Sequence, residues 1–363
     1  MQAPPISDPQ SIKYLGYIAL GVLVVSLVVY FGYLISEGSP QDSVRNAKRI
    51  GDTYNKFMQL TPLGDDSYTF CDYFIASSAY SLFPGSSTTD YISEDIIPIV
   101  IKSGARLIEL DIYDDGGLPV VGLKNQALGY DYAKNSISFE KCCIALGNSA
   151  FTDTLASDPF ILSLMFHTQN NNTINASARI IRDTLARFLL GPDYSFHRKN
   201  LAQEPMKNLK GKLIIVSGGL QHTKMEELVN LSWSTSHLRR LTYMQASQPY
   251  DHEELIESNK KSLCMVIPDP EPDLKNNNPT ILFAYGCQWN LMNYGSPDTM
   301  MELNIEKFQQ GSIVLKPAEL RFKPVEAKTP VLPDPLTHSF QPMAHTSPIY
   351  DMNPRTGDKS VVI

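Results

Sequence analysis

One stretch of the chain shows no alternation of apolar and polar residues at all. Tyr14 to Ile35 reads YLGYIALGVLVVSLVVYFGYLI, twenty-two residues without a charge. As a helix it rises about 33 Å, enough to cross a hydrocarbon core of about 30 Å. Tyr14 and Tyr17 near one end, and Tyr30 and Tyr33 near the other, lie where amphipathic rings favour the membrane interface. The pattern predicts an uncleaved single-pass span over 14–35 behind a short segment, 1–13. A signal peptide has a shorter apolar run and a small-residue cleavage site. Lys13 precedes the span, whereas Arg45, Lys48, Arg49 and Lys56 follow it, which favours a cytoplasmic body. Sequons at Asn171, Asn175 and Asn230 point the other way, and with them the chain would be a glycosylated surface receptor.

Beyond the span the periodicity changes twice. Residues 36–69 form a stem, polar over 38–58 and suited to a short helix. From about 70 to 320 short apolar runs alternate with amphipathic stretches. Arg106–Ile112, Phe160–Met165, Lys212–Val216, Leu263–Ile267 and Ile281–Ala284 are such runs. In Ser177–Leu190, the positions Ile180, Ile181, Leu185, Phe188 and Leu189 share one helical face. Strands separated by helices favour a parallel sheet, and this many units suits an α/β barrel. From residue 322 the pattern stops. Prolines 324, 330, 333, 335, 342, 348 and 354 each remove a backbone donor, so 322–363 reads as an extended tail.

Composition adds limits to this picture. With 43% hydrophobic and 19% charged residues, the 363-residue chain has ample material for a core. A net charge of −7 without basic clusters gives no reason to expect nucleic acid. Five cysteines do not make a secreted disulfide framework. The adjacent pair Cys142–Cys143 is expected to have one thiol buried and one exposed. No histidines pair at close helical spacing, so no zinc site is implied.

Two groups of motifs carry a family resemblance. The first is Asp72-Tyr73-Phe74-Ile75-Ala76-Ser77-Ser78, then Gly104-Ala105-Arg106-Leu107-Ile108-Glu109-Leu110-Asp111, then Pro159–Leu164 and Leu209–Leu213. The second is Gly286-Cys287-Gln288, Met292-Asn293-Tyr294, Gly311–Pro317 and Leu320-Arg321. In order and spacing they resemble the X and Y halves of the eukaryotic phosphoinositide-specific phospholipase C catalytic barrel. The resemblance implies a distorted (β/α)8 barrel with an X-like half over 70–219, a linker reduced to 220–230 and a Y-like half over 231–321.

That family cleaves a phosphodiester by attack of the inositol 2-hydroxyl. It uses two histidines for proton transfer and a Ca²⁺ held by one Asn and three carboxylates. Carried over position by position, Glu109 and Asp111 match two of the carboxylates. Ala79 stands for the first histidine, Tyr80 for the Asn, and Met165 for the third carboxylate, while Leu123 falls at or next to the second histidine. The family's phosphate-binding Lys pair falls on Val216 and Gly218, and its Arg and Tyr on Met265 and Ile267. Thioether and phenol are poor Ca²⁺ ligands. The resemblance therefore implies a pseudoenzyme with no catalytic residue and no cofactor. Only a vestigial Ca²⁺ pair remains at Glu109 and Asp111, and residual binding there is disfavoured. Lys316-Pro317 belongs to barrel closure, and His167 to the end of a strand.

The expected function is that of a membrane-anchored, inactive phospholipase C-like protein with a structural or interaction role. It would contact the bilayer through Tyr14–Ile35 and protein partners along 322–363, with no small-molecule substrate. Tying a membrane to a protein shell, as in a virus particle, suits an anchor, an idle barrel and a strap. The alternative is a phosphoinositide phosphodiesterase, active or substrate-binding, with a rewired site.

Overall fold

The computed structural model describes residues 9–36, 38–85, 90–125, 128–152, 154–323, 349–352 and 359–362. It divides into two units, Met1–Phe322 and Lys323–Ile363.

Within the first unit, helix α1 (Pro9–Ser36) contains a 20-residue run, Lys13–Gly32, with a mean hydropathy of 2.3 and none of it buried. It is long and apolar enough to cross a membrane, a test that a signal sequence also meets. Helix α2 (Pro40–Tyr54) starts where Ser39 and Asp42 form a reciprocal capping box and Pro40 pre-sets the first turn. It buries Ala47, Ile50 and Tyr54 and packs on α3 (Ile96–Lys102). Gly51 lets the two helices approach, since a Cβ there would lie 2.8 Å from Ile99 Cγ2.

Eight strands build the barrel: β1 (Ser77–Ala79), β2 (Leu107–Asp115), β3 (Phe160–Phe166), β4 (Leu213–Ser217), β5 (Leu231–Ser232), β6 (Leu238–Thr242), β7 (Leu263–Ile267) and β8 (Trp289–Asn293). All their pairings are parallel, in the spatial order β5-β4-β3-β2-β1-β8-β7-β6, so the ring is open only between β5 and β6 among the described residues. Helices α4 (Phe139–Ser149), α5 (Asn171–Leu185), α6 (Tyr243–Ser247), α7 (His252–Lys261), α8 (Pro279–Ala284) and α9 (Thr299–Lys307) follow or separate the strands. Strands β4 and β5 are joined without a helix.

Because both faces of such strands are covered, β3, β4 and β7 are apolar almost throughout, and the pleat sorts the strand side chains into two cores. Ala79, Leu107, Ile161, Val216, Leu238, Met265 and Leu291 fill the lumen. Their neighbours Ile108, Leu162, Ile215 and Met292 pack in the layer shared with the helices. Outside the ring, Tyr73–Ile75 pairs antiparallel with Ile313–Leu315, tying the end of the barrel to its beginning. Strand β2 overshoots the barrel and folds back at Gly116–Gly117, whose positive φ angles of 60° and 90° make the turn, into Leu118–Gly122. The second unit contains an antiparallel pair, Ile349–Met352 with Lys359–Val362. The rest of the proline-rich tail lies outside the described residues.

Three expectations need correction. Ile281–Ala284 is not a strand but the body of α8. Asn278 caps that helix, its side chain accepting from Thr280 N, and Pro279 opens its first turn. The helix expected over 177–190 is α5, which begins six residues earlier behind the Asn170 cap, its side chain accepting from Asn172 N, and tightens into a 3₁₀ turn at Ala186–Phe188. Cys142 and Cys143 are both buried, because α4 is covered by α3 and α5 and both thiols belong to the same apolar core. All five thiols are buried and unbridged.

Candidate functional site

The two-residue pleat directs Glu109 and Asp111 of β2, Ser163 and Met165 of β3, Arg240 of β6 and Met265 of β7 toward the lumen at the carboxy-terminal end of the strands. Register places Glu109 opposite Ser163 and Asp111 opposite Met165. The positions that carry the resemblance thus meet at one end of the barrel. Their chemistry is already committed.

Glu109 accepts a hydrogen bond at Oε2 from Ser163 Oγ at 2.8 Å and at Oε1 from Arg240 Nη2 at 2.7 Å. The two ionic side chains are 11% and 16% exposed, so this pair lies largely out of water. The Arg240 guanidinium also lies 5.0 Å from the centre of the Trp233 ring, which sits in the gap between β5 and β6. Asp111 Oδ1 lies 2.6 Å from His167 Nε2, and the imidazole is stacked on Tyr113, 4.6 Å between centres at 8°. His167 stands just past β3, where its backbone N–H donates to Ile112 O.

Where the resemblance places a histidine and an Asn, Ala79 is buried and Tyr80 adopts a left-handed backbone conformation, φ 51°. Burial pushes the Tyr80 phenol well above its usual range, with Tyr132, Asp111 and Glu109 adding to the effect. It therefore stays protonated. Leu123 is buried. Tyr80, Glu109, Asp111 and Leu123 share a slot whose free volume is about 10 Å³, close to the minimum for a single water. A cavity of about 920 Å³ that includes Met58, Lys102 and Arg106 lies at the opposite end of β2.

A strap from the β7–α8 loop is bonded to the loops at this end of the barrel. The Tyr132 hydroxyl donates to Glu271 O and accepts from Asn125 Nδ2. Asn293 Nδ2 donates to Leu274 O at 2.6 Å, Asn276 bonds to Asn293 O and Ser296 O, and Leu274 is buried in the helix-side core. Arg240, Trp233 and this strap were not anticipated from sequence. The i,i+2 alternation in β6 was the available sign for Arg240. Of the sequons, Asn230 is buried, with its amide oxygen accepting from Ile215 N and its nitrogen donating to Tyr194 O.

A Ca²⁺ of the family's kind does not fit this set. The ion takes six to eight oxygen ligands at about 2.3–2.6 Å. The residues here offer two carboxylates engaged with cationic or hydrogen-bonding side chains, one protonated phenol and one thioether.

Comparison with known proteins agrees with the architecture. Residues 67–218 match the family model for the phosphatidylinositol-specific phospholipase C X domain. A 72-residue stretch is 39% identical to human and 38% identical to mouse inactive phospholipase C-like protein 2. That stretch is 19% of this chain and 6% of each of those proteins. Among solved structures, L. pealei PLC21 superposes with a TM-score of 0.63 at 20% identity, covering 72% of this chain and 39% of that one. S. officinalis PLC21 gives 0.60 at 22% identity, covering 71% and 38%. The chain folds into a barrel of the phospholipase C catalytic type, and residues 67–218, its first half, are similar to the X domain.

Proposed function

We propose that this chain is a membrane-anchored pseudoenzyme whose phospholipase C-type barrel serves interaction or architecture. One observation carries the reading: Ala79 and Leu123 stand where the resemblance places the two proton-transfer histidines, and both side chains are buried. Neither side chain moves a proton, and acid–base groups of this kind contribute about 10²–10⁴-fold each. The partial likeness to proteins named inactive phospholipase C-like supports the same direction. In this reading α1 spans the bilayer with the body on the cytoplasmic side. Residues 322–363 engage a protein surface, such as a shell apposed to the membrane, and the barrel takes neither cofactor nor small-molecule substrate.

The test is a release assay on phosphatidylinositol and its phosphates with Ca²⁺ present, using the full chain in detergent. No inositol phosphate above background is expected. Turnover that disappears in a Glu109→Ala/Asp111→Ala variant would overturn the proposal and establish a rewired phosphodiesterase. Deletion of 322–363 tests the interaction half, since it should abolish incorporation into the native assembly.

A further inference from the structure

The two surviving acids do not point to an abandoned metal site but to one filled from within. We infer that Arg240 is a built-in cation standing where the family relation would place Ca²⁺, with His167 as its counterpart at Asp111, so that the barrel is complete without a divalent ion. This rests on the reading of the mouth as degenerate.

Arg240 reaches from β6 across the lumen to Glu109 on β2, and its contact at 2.7 Å is that of a charge-assisted hydrogen bond. Ser163 occupies the other carboxylate oxygen. Trp233 backs the guanidinium from the open side of the ring. A planar guanidinium directs its N–H groups in a fixed fork, whereas Ca²⁺ needs oxygens on all sides. The same carboxylate cannot serve both cations. On β2 the next lumen-facing position, Asp111, is held by His167. With Arg240 absent, Glu109 and Asp111 would face the lumen two residues apart, with only His167 for compensation. Such a pair would attract a hard cation weakly.

The experiment uses the full chain in detergent and follows terbium luminescence sensitised through Trp233, Ca²⁺ titration calorimetry and Tm. The wild-type chain is expected to bind neither ion at about 1 mM, and its Tm should not respond to Ca²⁺ or EDTA. Arg240→Met should gain terbium luminescence and bind Ca²⁺ with Kd of about 10⁻⁴–10⁻³ M, the range of weak carboxylate sites. Its Tm should fall by several degrees and recover in part with Ca²⁺. Adding Glu109→Gln to that variant should abolish the gained binding, and Arg240→Lys should stay near wild type. If Arg240→Met does not fold without Ca²⁺, rescue of its folding by Ca²⁺ reads the same gain. Ca²⁺ binding by the wild-type chain, unchanged in Arg240→Met, overturns the inference. So does an Arg240→Met protein with wild-type Tm and no gained binding. Turnover assayed on the same preparations separates the two readings. Wild-type Ca²⁺ binding without turnover sinks only the built-in cation, and turnover sinks the pseudoenzyme.

Discussion

Lys316 offers the sharpest test of how this barrel tolerates charge. It is fully buried, its Nζ donates to Asn259 O at 3.0 Å, and the Phe74 ring lies 5.7 Å away. Burial pushes the ammonium down to about 8 from the ordinary 10.5, although Cys71, Cys287, Asp72 and Cys264 nearby act in the opposite direction. Below pH 8 the lysine is charged in both folded and unfolded chains, and the fold carries the full desolvation cost. Between pH 8 and 10.5 the unfolded chain binds more protons, so stability rises with pH. At 1.36 kcal/mol per pH unit the interval amounts to about 3 kcal/mol. Lys316→Met removes the charge while Asn259 O keeps its bond from Gln288 Nε2 at 2.7 Å. Allowing about 1 kcal/mol for the lost hydrogen bond, the variant should be about 2 kcal/mol more stable at pH 7. Cys71, which burial raises to about 11, titrates in the same range with opposite sign. It is common to both proteins, so only the part of its shift that Lys316 itself supplies stays in the difference. Urea unfolding followed by fluorescence of Trp233 and Trp289, from pH 7 to 10.5, measures that difference. It should shrink as pH rises. A difference that does not change with pH would refute a charged Lys316 inside the fold.

Two other perturbations probe the frame. Arg106, fully buried, donates to Ala150 O and Asp158 O at 2.7 Å and Pro159 O at 3.2 Å, with the Phe160 ring 5.0 Å away. Arg106→Met should cost about 3–5 kcal/mol in urea unfolding, since it strands buried backbone acceptors, and Arg106→Lys should recover part of it. Tyr132→Phe removes the donor to Glu271 O, costs about 1 kcal/mol, and should raise hydrogen exchange selectively in the strap around 271–276; unchanged exchange there would show that the strap holds without Tyr132.

The barrel was legible because its information is local. Apolar runs such as Phe160–Met165 and Leu263–Ile267 are long enough to be strands and too short to be helices, and the motifs keep their order along the chain. Ile281–Ala284 misled because four apolar residues fit either structure, and the deciding signals, Asn278 and Pro279, precede the run. The contents of the mouth were less legible. Each substitution at Ala79, Tyr80, Leu123 and Met165 could be read singly, as a loss. What replaced the lost groups depends on which residues face one another across the lumen. Arg240 is 131 positions from Glu109, and no periodicity links them. Likewise the strap is held by Tyr132 and Asn293, from the two halves of the barrel sequence.

This arrangement also accounts for two acids in the mouth, while Ala79 and Leu123 stand where the resemblance places histidines. A buried ion pair contributes little by comparison with an apolar pair of the same volume, but removing one partner alone costs about 3–5 kcal/mol. Once Arg240 had turned toward Glu109, neither residue could be replaced singly without leaving a charge in the lumen. Asp111 and His167 constrain each other less strongly, because Asp111 is 23% exposed against 11% for Glu109, and water screens it when His167 is lost. Ala79 and Leu123 have no such partner, so nothing in the packing required a histidine at either place. The acids persist, on this argument, because each is half of a pair, and single substitutions should be more costly at Glu109 than at Asp111. Glu109→Gln should therefore destabilise more than Asp111→Asn in parallel urea titrations, and Arg240→Met should relieve most of the Glu109→Gln cost. Equal costs at the two acids, or additive effects of the Glu109 and Arg240 changes, would show that the pair does not act as a unit.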